Sequence, residues 1–144
     1  MAVTAKLYGN VLPKAFNKEI DLDTDVIKVA LCTSAYTPDL DAHDYFNDIT
    51  NEITGTGYTA GGATLASKTV TYTGGTNTFK FDAADTAWTT STITARYAII
   101  YVDTATGSTS PLIGYVDFGA DVVSTAGTFT ITWAAGGIFT IAVA

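Results

Sequence analysis

Residues 128–133 read TFTITW and contain the clearest alternation of apolar and polar side chains in the chain. Phe129, Ile131 and Trp133 alternate with threonines, and this period of two is typical of a strand with one buried and one exposed side. The paired glycines at 136 and 137 then predict a turn into a further strand, which spans residues 138–143. The C-terminal part of the chain is therefore predicted to be β-structure.

The same pattern recurs upstream of residue 128. Val70 and Tyr72 alternate with threonines, Gly74 and Gly75 predict a turn, and residues 78–81 alternate again, which indicates a β-hairpin. The apolar run ARYAIIYVD at 95–103 predicts a central strand covered on both sides, and a turn at 104–110 leads to another strand at 112–118.

The N-terminal third has a different sequence pattern, with helical spacing and acidic loops. Leu12, Ala15, Phe16 and Ile20 follow helical spacing, so a short amphipathic helix is predicted between residues 11 and 20. Residues 26–33 predict a buried strand, and the acidic, aromatic stretch at 36–50 predicts a loop with one helical turn.

Taken together, these elements predict one mainly β domain over residues 1–144. The expected architecture is an antiparallel β-sandwich or flattened barrel with one or two short helices in the N-terminal third. Residues 1–20 are a possible arm or helix that packs either on this domain or on a neighbouring subunit. A chain of 144 residues is long enough to bury a core of its own.

Charge and composition argue against several classes of function and structure. The formal net charge is −7 and the seven basic residues are scattered, so nucleic acid is not an expected partner. The longest apolar stretches are far shorter than the roughly 20 residues of a membrane-spanning helix, and no secretory signal is predicted, so synthesis in a cytoplasm is expected. The single cysteine, Cys32, excludes an internal disulfide.

Few residues suggest chemistry. His43 is the only histidine, which argues against a zinc site, and Cys32 is predicted to be a buried apolar thiol and not a nucleophile. The glycine cluster GTGYTAGG at 55–62 lacks the spacing and the lysine of a phosphate-binding loop, so it predicts turns and a close approach of another chain. No enzyme activity and no cofactor are predicted.

Acidic residues are the remaining candidates for a site. Asp21, Asp23 and Asp25 are spaced as DxDxD and supply oxygen ligands that suit Ca²⁺, but the glycine and terminal glutamate of an EF-hand loop are missing. The favoured alternative is a solvated surface whose carboxylates cap helices. A pair such as Asp82 and Asp85 offers the two carboxylates of a glycan hydrolase, although no spacing supports that activity.

Four long phrases carry a resemblance to a known family: NKEIDLDTDVIKVALCTSAYTPDLDAHDYFNDI (17–49), NEITGTGYTAGGATLASKTVTY (51–72), ARYAIIYVDTATGSTSPLIGYVDFGAD (95–121) and GTFTITWAAGGIFTIAVA (127–144). The chain resembles small structural proteins encoded by tailed bacteriophages. The resemblance implies a virion component, most plausibly a head decoration (cement) protein on the outside of the capsid. It also implies two partners, the major capsid protein and further copies of the chain in a dimer or trimer.

Aromatic residues outside the clearest strands are the predicted interface anchors, namely Tyr36, Tyr45, Phe46 and Tyr58. The alternative, equally supported, is that these rings close the ends of the domain's own core. A competing functional hypothesis is a tail, baseplate or fibre-associated protein that recognises a cell-surface glycan.

Overall fold

The computed structural model describes residues 2–143, and this part of the chain is mainly β. Its elements are β1 (Thr4–Leu7), α1 (Val11–Phe16), β2 (Ile27–Cys32), a 3-10 turn (Phe46–Asp48), β3 (Ala63–Thr64), β4 (Thr69–Thr73), β5 (Thr78–Asp82), β6 (Thr86–Val102), a second 3-10 turn (Gly107–Thr109), β7 (Leu112–Ile131) and β8 (Phe139–Ala142).

Two antiparallel sheets pack against each other. The larger sheet has the order β1-β7-β6-β2-β3, and the smaller sheet has the order β4-β5-β8. The predicted β-sandwich, with a helix in the N-terminal third, is therefore confirmed.

A long hairpin of β6 and β7 forms the centre of the large sheet. Its register runs from Tyr101 opposite Leu112 to Thr86 opposite Ile131, with several shifts between the two ends. Such irregularities increase the local twist of the strands. The strands predicted at 96–103, 112–118 and 128–133 are therefore parts of two much longer strands, and Trp133 lies just beyond the end of β7.

The small sheet has one apolar and one polar side. Its apolar side carries Phe79 and Phe81 from β5 with Phe139 and Ile141 from β8, and the strands pair in a register that sets these residues opposite one another. The predicted hairpin of β4 and β5 is confirmed. The left-handed residue of its four-residue loop is Asn77 (φ 51°), while Gly74 and Gly75 have no positive φ.

The core lies on both sides of the large sheet. Val29 and Leu31 point into the main cluster between the two sheets, where they join Phe81 and Ile100. Their neighbours Ala30 and Cys32 point the other way, into a second cluster covered by the loop between β2 and β3. Strands buried on both sides explain why β2 and the end of β6 are continuously apolar in the sequence.

The N-terminal segment packs on its own domain, because β1 pairs with β7 in the same chain. Helix α1 is shorter than predicted, and Lys18 after it adopts a left-handed backbone (φ 64°). Its predicted apolar side is wrong in part, since Val11 is buried whereas Leu12 is 43% and Phe16 is 84% exposed. Between residues 2 and 143, no helix has the length and apolar character needed to cross a membrane.

Candidate interaction surface

An apolar groove lies where α1 and the following segment approach the small sheet. Its volume is about 350 Å³, and every side chain along it is apolar. Its lining comes from helix α1, from the segment that follows α1 and from the small sheet, namely from Val11, Leu12, Ala15 and Phe16, from Ile20 and Leu22, and from Phe79, Phe139 and Ile141, together with Leu7 and Val143.

Several of these side chains are exposed to a degree that is unusual for large apolar residues. Phe16 is 84%, Val143 60% and Leu12 43% exposed. Single apolar residues scattered over a protein surface are normal, whereas large contiguous apolar patches are typical of interaction sites. We therefore name this groove, with the lining residues given above, the α1 groove and treat it as the candidate interaction surface.

The sequence missed the α1 groove because of the way apolar residues repeat in α1. Val11 and Ala15 form one pair at a spacing of four, and Leu12 and Phe16 form a second pair rotated by about 100° around the axis. Only the first pair packs against the core. These two pairs within six residues could have indicated that α1 has a second apolar side, which its own core does not bury.

Among the predicted interface anchors, Tyr36 is placed inside the chain's own core. It is 1% exposed, and its hydroxyl lies 2.8 Å from the hydroxyl of Tyr8 and 2.9 Å from Nδ1 of His43. Burial raises the pKa of Tyr36 to about 12. The prediction of Tyr36 as an exposed anchor is therefore wrong, and the alternative of a ring that completes the core applies.

The other three predicted anchors are half-buried by contacts within the chain. Phe46 stacks on Tyr101 with 4.0 Å between ring centroids, and the Tyr45 hydroxyl donates to Glu19 at 2.9 Å. The Tyr58 hydroxyl donates to Glu52 at 2.7 Å and accepts from the backbone of Leu31. The contacts of Phe46 and Tyr58 fix their loops against the large sheet, whereas Tyr45 contacts the segment after α1. Phe46 packs against the same core cluster as Tyr36 and Tyr58 packs against the other cluster, so the structure does not bring the four rings together into one patch.

The candidate calcium ligands form a turn. One carboxylate oxygen of Asp21 accepts the backbone N–H groups of Asp23 and Thr24, and the Asp25 carboxylate accepts the N–H of Asp21 at 2.7 Å. The hydroxyl and backbone of Thr24 hold the pKa of Asp21 below its usual value. Within residues 2–143, no group of three His, Cys, Asp or Glu side chains is placed so that it could hold a metal ion, and Asp21, Asp23 and Asp25 form a capped loop.

The other residues considered for chemistry have structural contacts. Burial raises the pKa of the Cys32 thiol to about 12, and Cys32 is fully buried. Asp82 lies 3.6 Å from Lys80, while Asp85 accepts the backbone N–H of Trp133 at 3.0 Å. His43 stacks on Tyr36.

The glycine cluster allows a close approach between segments of the same chain. Gly62 has a φ of 78°, and a Cβ at this position would lie 1.9 Å from the carbonyl oxygen of Val29. The Glu52 carboxylate accepts the N–H of Gly61 at 2.5 Å, and the Tyr101 hydroxyl donates to its carbonyl at 2.7 Å. The turn prediction is thus confirmed, and the segment that comes close is β2 of the chain itself.

Comparison of the chain with protein-family models, with curated proteins and with solved structures finds no match.

Proposed function

We propose that this chain is a virion structural protein, a decoration (cement) protein that binds the outer surface of a phage head and stabilises the capsid lattice. The α1 groove is the observation that carries the proposal. The partner that we assign to the groove is the major capsid protein.

The chemistry of the α1 groove fits a permanent protein contact. A groove lined only by apolar side chains gains free energy when it excludes water, at about 25 cal/mol per Å² of apolar surface buried. A few large side chains supply most of the energy at protein interfaces, where Phe is among the enriched residue types. Phe16 is the largest exposed apolar side chain of the α1 groove. A loop or helix of the capsid protein with an apolar side chain would fill the volume between Phe16 and Val143.

The charge of the chain supports a place on the outside of the shell. A net charge of −7 disfavours contact with packaged DNA, because the protein field repels phosphates. The sequence resemblance to phage structural proteins supports the same role.

The copy number of the chain per purified virion tests the proposal. A decoration protein is expected at a ratio to the major capsid protein of one, or of another simple fraction set by the lattice. A few copies per particle would overturn the proposal and indicate a tail, baseplate or fibre location.

A second experiment tests the α1 groove itself. Heads that lack the chain are mixed with purified wild-type protein, with Phe16→Asp, or with the matched control Val123→Asp, which changes a side chain 62% exposed on β7, outside the groove. We expect Phe16→Asp to bind at least about tenfold more weakly than the other two, as is usual for an aromatic anchor. Equal binding of all three proteins would exclude the α1 groove as the capsid contact.

A further inference from the structure

The free edge of β4 differs from the other strand edges of the sandwich. All five residues of β4 are exposed, and within residues 2–143 this strand pairs only with β5. Exposed edges are usually protected by a charged side chain, a proline or a bulge. β4 has none of these. An unprotected edge of this kind is a template for a further strand.

The remaining edges differ from the free edge of β4. β1 carries Lys6 in its middle, and β3 has only two residues. Phe139 and Thr140 of β8 line a cavity together with Lys6 of β1 and Tyr115 of β7, so β8 lies close to the large sheet. β4 is therefore the edge at which the sheet can be extended.

The threonines of β4 are placed symmetrically about its central residue, Thr71. Thr69–Thr73 reads TVTYT, so an antiparallel partner with the same sequence, centred on Thr71, sets every threonine opposite a threonine. The same register sets Val70 opposite Tyr72 of the second copy. Pairs of a β-branched and an aromatic side chain are favourable between neighbouring strands.

We propose that two copies of the chain associate through β4, antiparallel and about a two-fold axis at Thr71. The result is a six-stranded sheet with the order β8-β5-β4-β4-β5-β8. This is an isologous contact, the commonest kind in homodimers. It is independent of the virion role and of the α1 groove.

Side-chain placement at the edge favours this pairing. Val70 and Tyr72 lie on the same side of the small sheet as Phe79 and Phe81, which are their partners in β5. They are 40% and 58% exposed, so one copy leaves the end of its apolar side uncovered. In the dimer, the apolar side becomes continuous between the two small sheets, with Val70 and Tyr72 of both copies at its centre.

The surroundings of β4 leave room for the second copy. The Tyr72 hydroxyl donates to the side-chain oxygen of Asn77 at 2.9 Å, which orients the ring before association. In the proposed register Lys68 lies opposite Gly74, and no atom lies within 4 Å of a Cβ built at Gly74. Because each chain has a net charge of −7, an uncharged edge is where two copies approach with least repulsion.

Sedimentation equilibrium of the purified chain gives the first test, with Thr71→Lys and the control Thr130→Lys. Thr71 and Thr130 are both exposed threonines on strands, but Thr130 lies on β7 opposite Ala87. The two-fold axis sets the introduced lysines directly opposite each other only in Thr71→Lys. We expect a dimer for wild-type protein and for Thr130→Lys, and a dissociation constant raised at least about tenfold for Thr71→Lys, because like charges in direct opposition are costly.

Oxidative cross-linking tests the register. In the proposed dimer, the two residues at 71 have Cα atoms roughly 4.5–5.5 Å apart, within the range of a disulfide. Residues 69 of the two copies are separated by four positions along the strand, roughly 13 Å, which is too far. The native Cys32 is fully buried and does not compete. Thr71→Cys is expected to give a covalent dimer, and Thr69→Cys is expected to stay monomeric on a denaturing gel.

Three results would overturn the proposal. They are a wild-type chain that stays monomeric at high concentration, a dimer that is insensitive to Thr71→Lys, and equal cross-linking of Thr69→Cys and Thr71→Cys. None of these results bears on the copy number in the virion, so the two proposals fail separately.

Discussion

The hydroxyl of Tyr8 lies 2.8 Å from the hydroxyl of Tyr36, and both rings are buried although 28 residues separate them. The contact joins the end of β1 to the loop after β2 in the second core cluster. Tyr36 has a further partner in His43 Nδ1, whereas no second partner of the Tyr8 hydroxyl is found within residues 2–143. The two tyrosines are therefore unequal in their dependence on the shared hydrogen bond.

This inequality predicts different costs for removing each hydroxyl. Tyr36→Phe leaves the buried Tyr8 hydroxyl without a partner and should lower the free energy of unfolding by about 1–3 kcal/mol. Tyr8→Phe leaves Tyr36 bonded to His43 and should cost about 0.5–1.5 kcal/mol. Urea unfolding of the two variants measures both values. A larger loss for Tyr8→Phe than for Tyr36→Phe would contradict the assigned network.

Replacing Gly62 by alanine, which adds only a Cβ, is expected to destabilise the fold severely. Its left-handed backbone and the 1.9 Å approach of a Cβ to the Val29 carbonyl mean that Gly62→Ala must displace the loop or β2. We expect a loss of at least about 2 kcal/mol, or failure to fold, because strain and a lost close contact add. Gly75→Ala is the control, since a Cβ there meets nothing within 4 Å, and a change within about 0.5 kcal/mol is expected. Similar losses for both variants would show that the approach is relaxed in solution.

Local pattern predicted the elements whose side chains follow one rule of burial along the whole strand, either strict alternation or continuous burial. The hairpin of β4 and β5 and the doubly buried β2 belong to this group, because each residue in them follows one simple rule of burial. The middle of the β6–β7 hairpin does not. There Ser91 and Ser124 are buried and lie 2.7 Å apart through their hydroxyls, so polar residues occupy inward positions and hide the period of two.

The candidate surface was harder to predict than the strands for a related reason. Whether Phe16 is buried depends on how α1 packs on the rest of the domain, which is a long-range property that no local spacing encodes. Tyr36 shows the converse, since small side chains at Ala30 and Cys32 leave space for its ring on the outer side of the large sheet. In both cases the residue type indicated an aromatic side chain that makes contacts, but the sequence did not show whether that side chain is buried within the chain or exposed.

Two ion pairs predict how stability responds to acid. Lys28 holds the pKa of Asp103 below its usual value, and Arg96 does the same for Asp117. A carboxylate with a lowered folded pKa stabilises the fold fully above its unfolded pKa, about 3.9, and this stabilisation is lost as pH falls through the folded value. Wild-type stability should therefore decrease as the pH is lowered from about 5 towards 2.

Replacing these carboxylates should flatten that decrease. A double variant Asp103→Asn and Asp117→Asn is expected to be less stable than wild type at pH 7 and to lose less stability on acidification. Urea midpoints at pH 7, 5, 4 and 3 provide the measurement. Asp23→Asn is a suitable control, because its exposed carboxylate forms no ion pair within residues 2–143. An acid response of the double variant identical to that of wild type would exclude the two pairs as its source.

Phe16 and Phe81 are expected to differ in their contribution to stability, because Phe16 is available to a partner whereas Phe81 belongs to the core. Phe81 is fully buried in the main core, and Phe81→Ala is expected to cost about 3–5 kcal/mol through lost burial and the cavity left behind. Phe16 is 84% exposed, so Phe16→Ala should change the free energy of unfolding by no more than about 0.5 kcal/mol. Denaturant unfolding of the isolated chain compares them directly. A loss above about 1 kcal/mol for Phe16→Ala would mean that Phe16 is covered within the chain in solution, and the α1 groove would then be closed and not available to a partner.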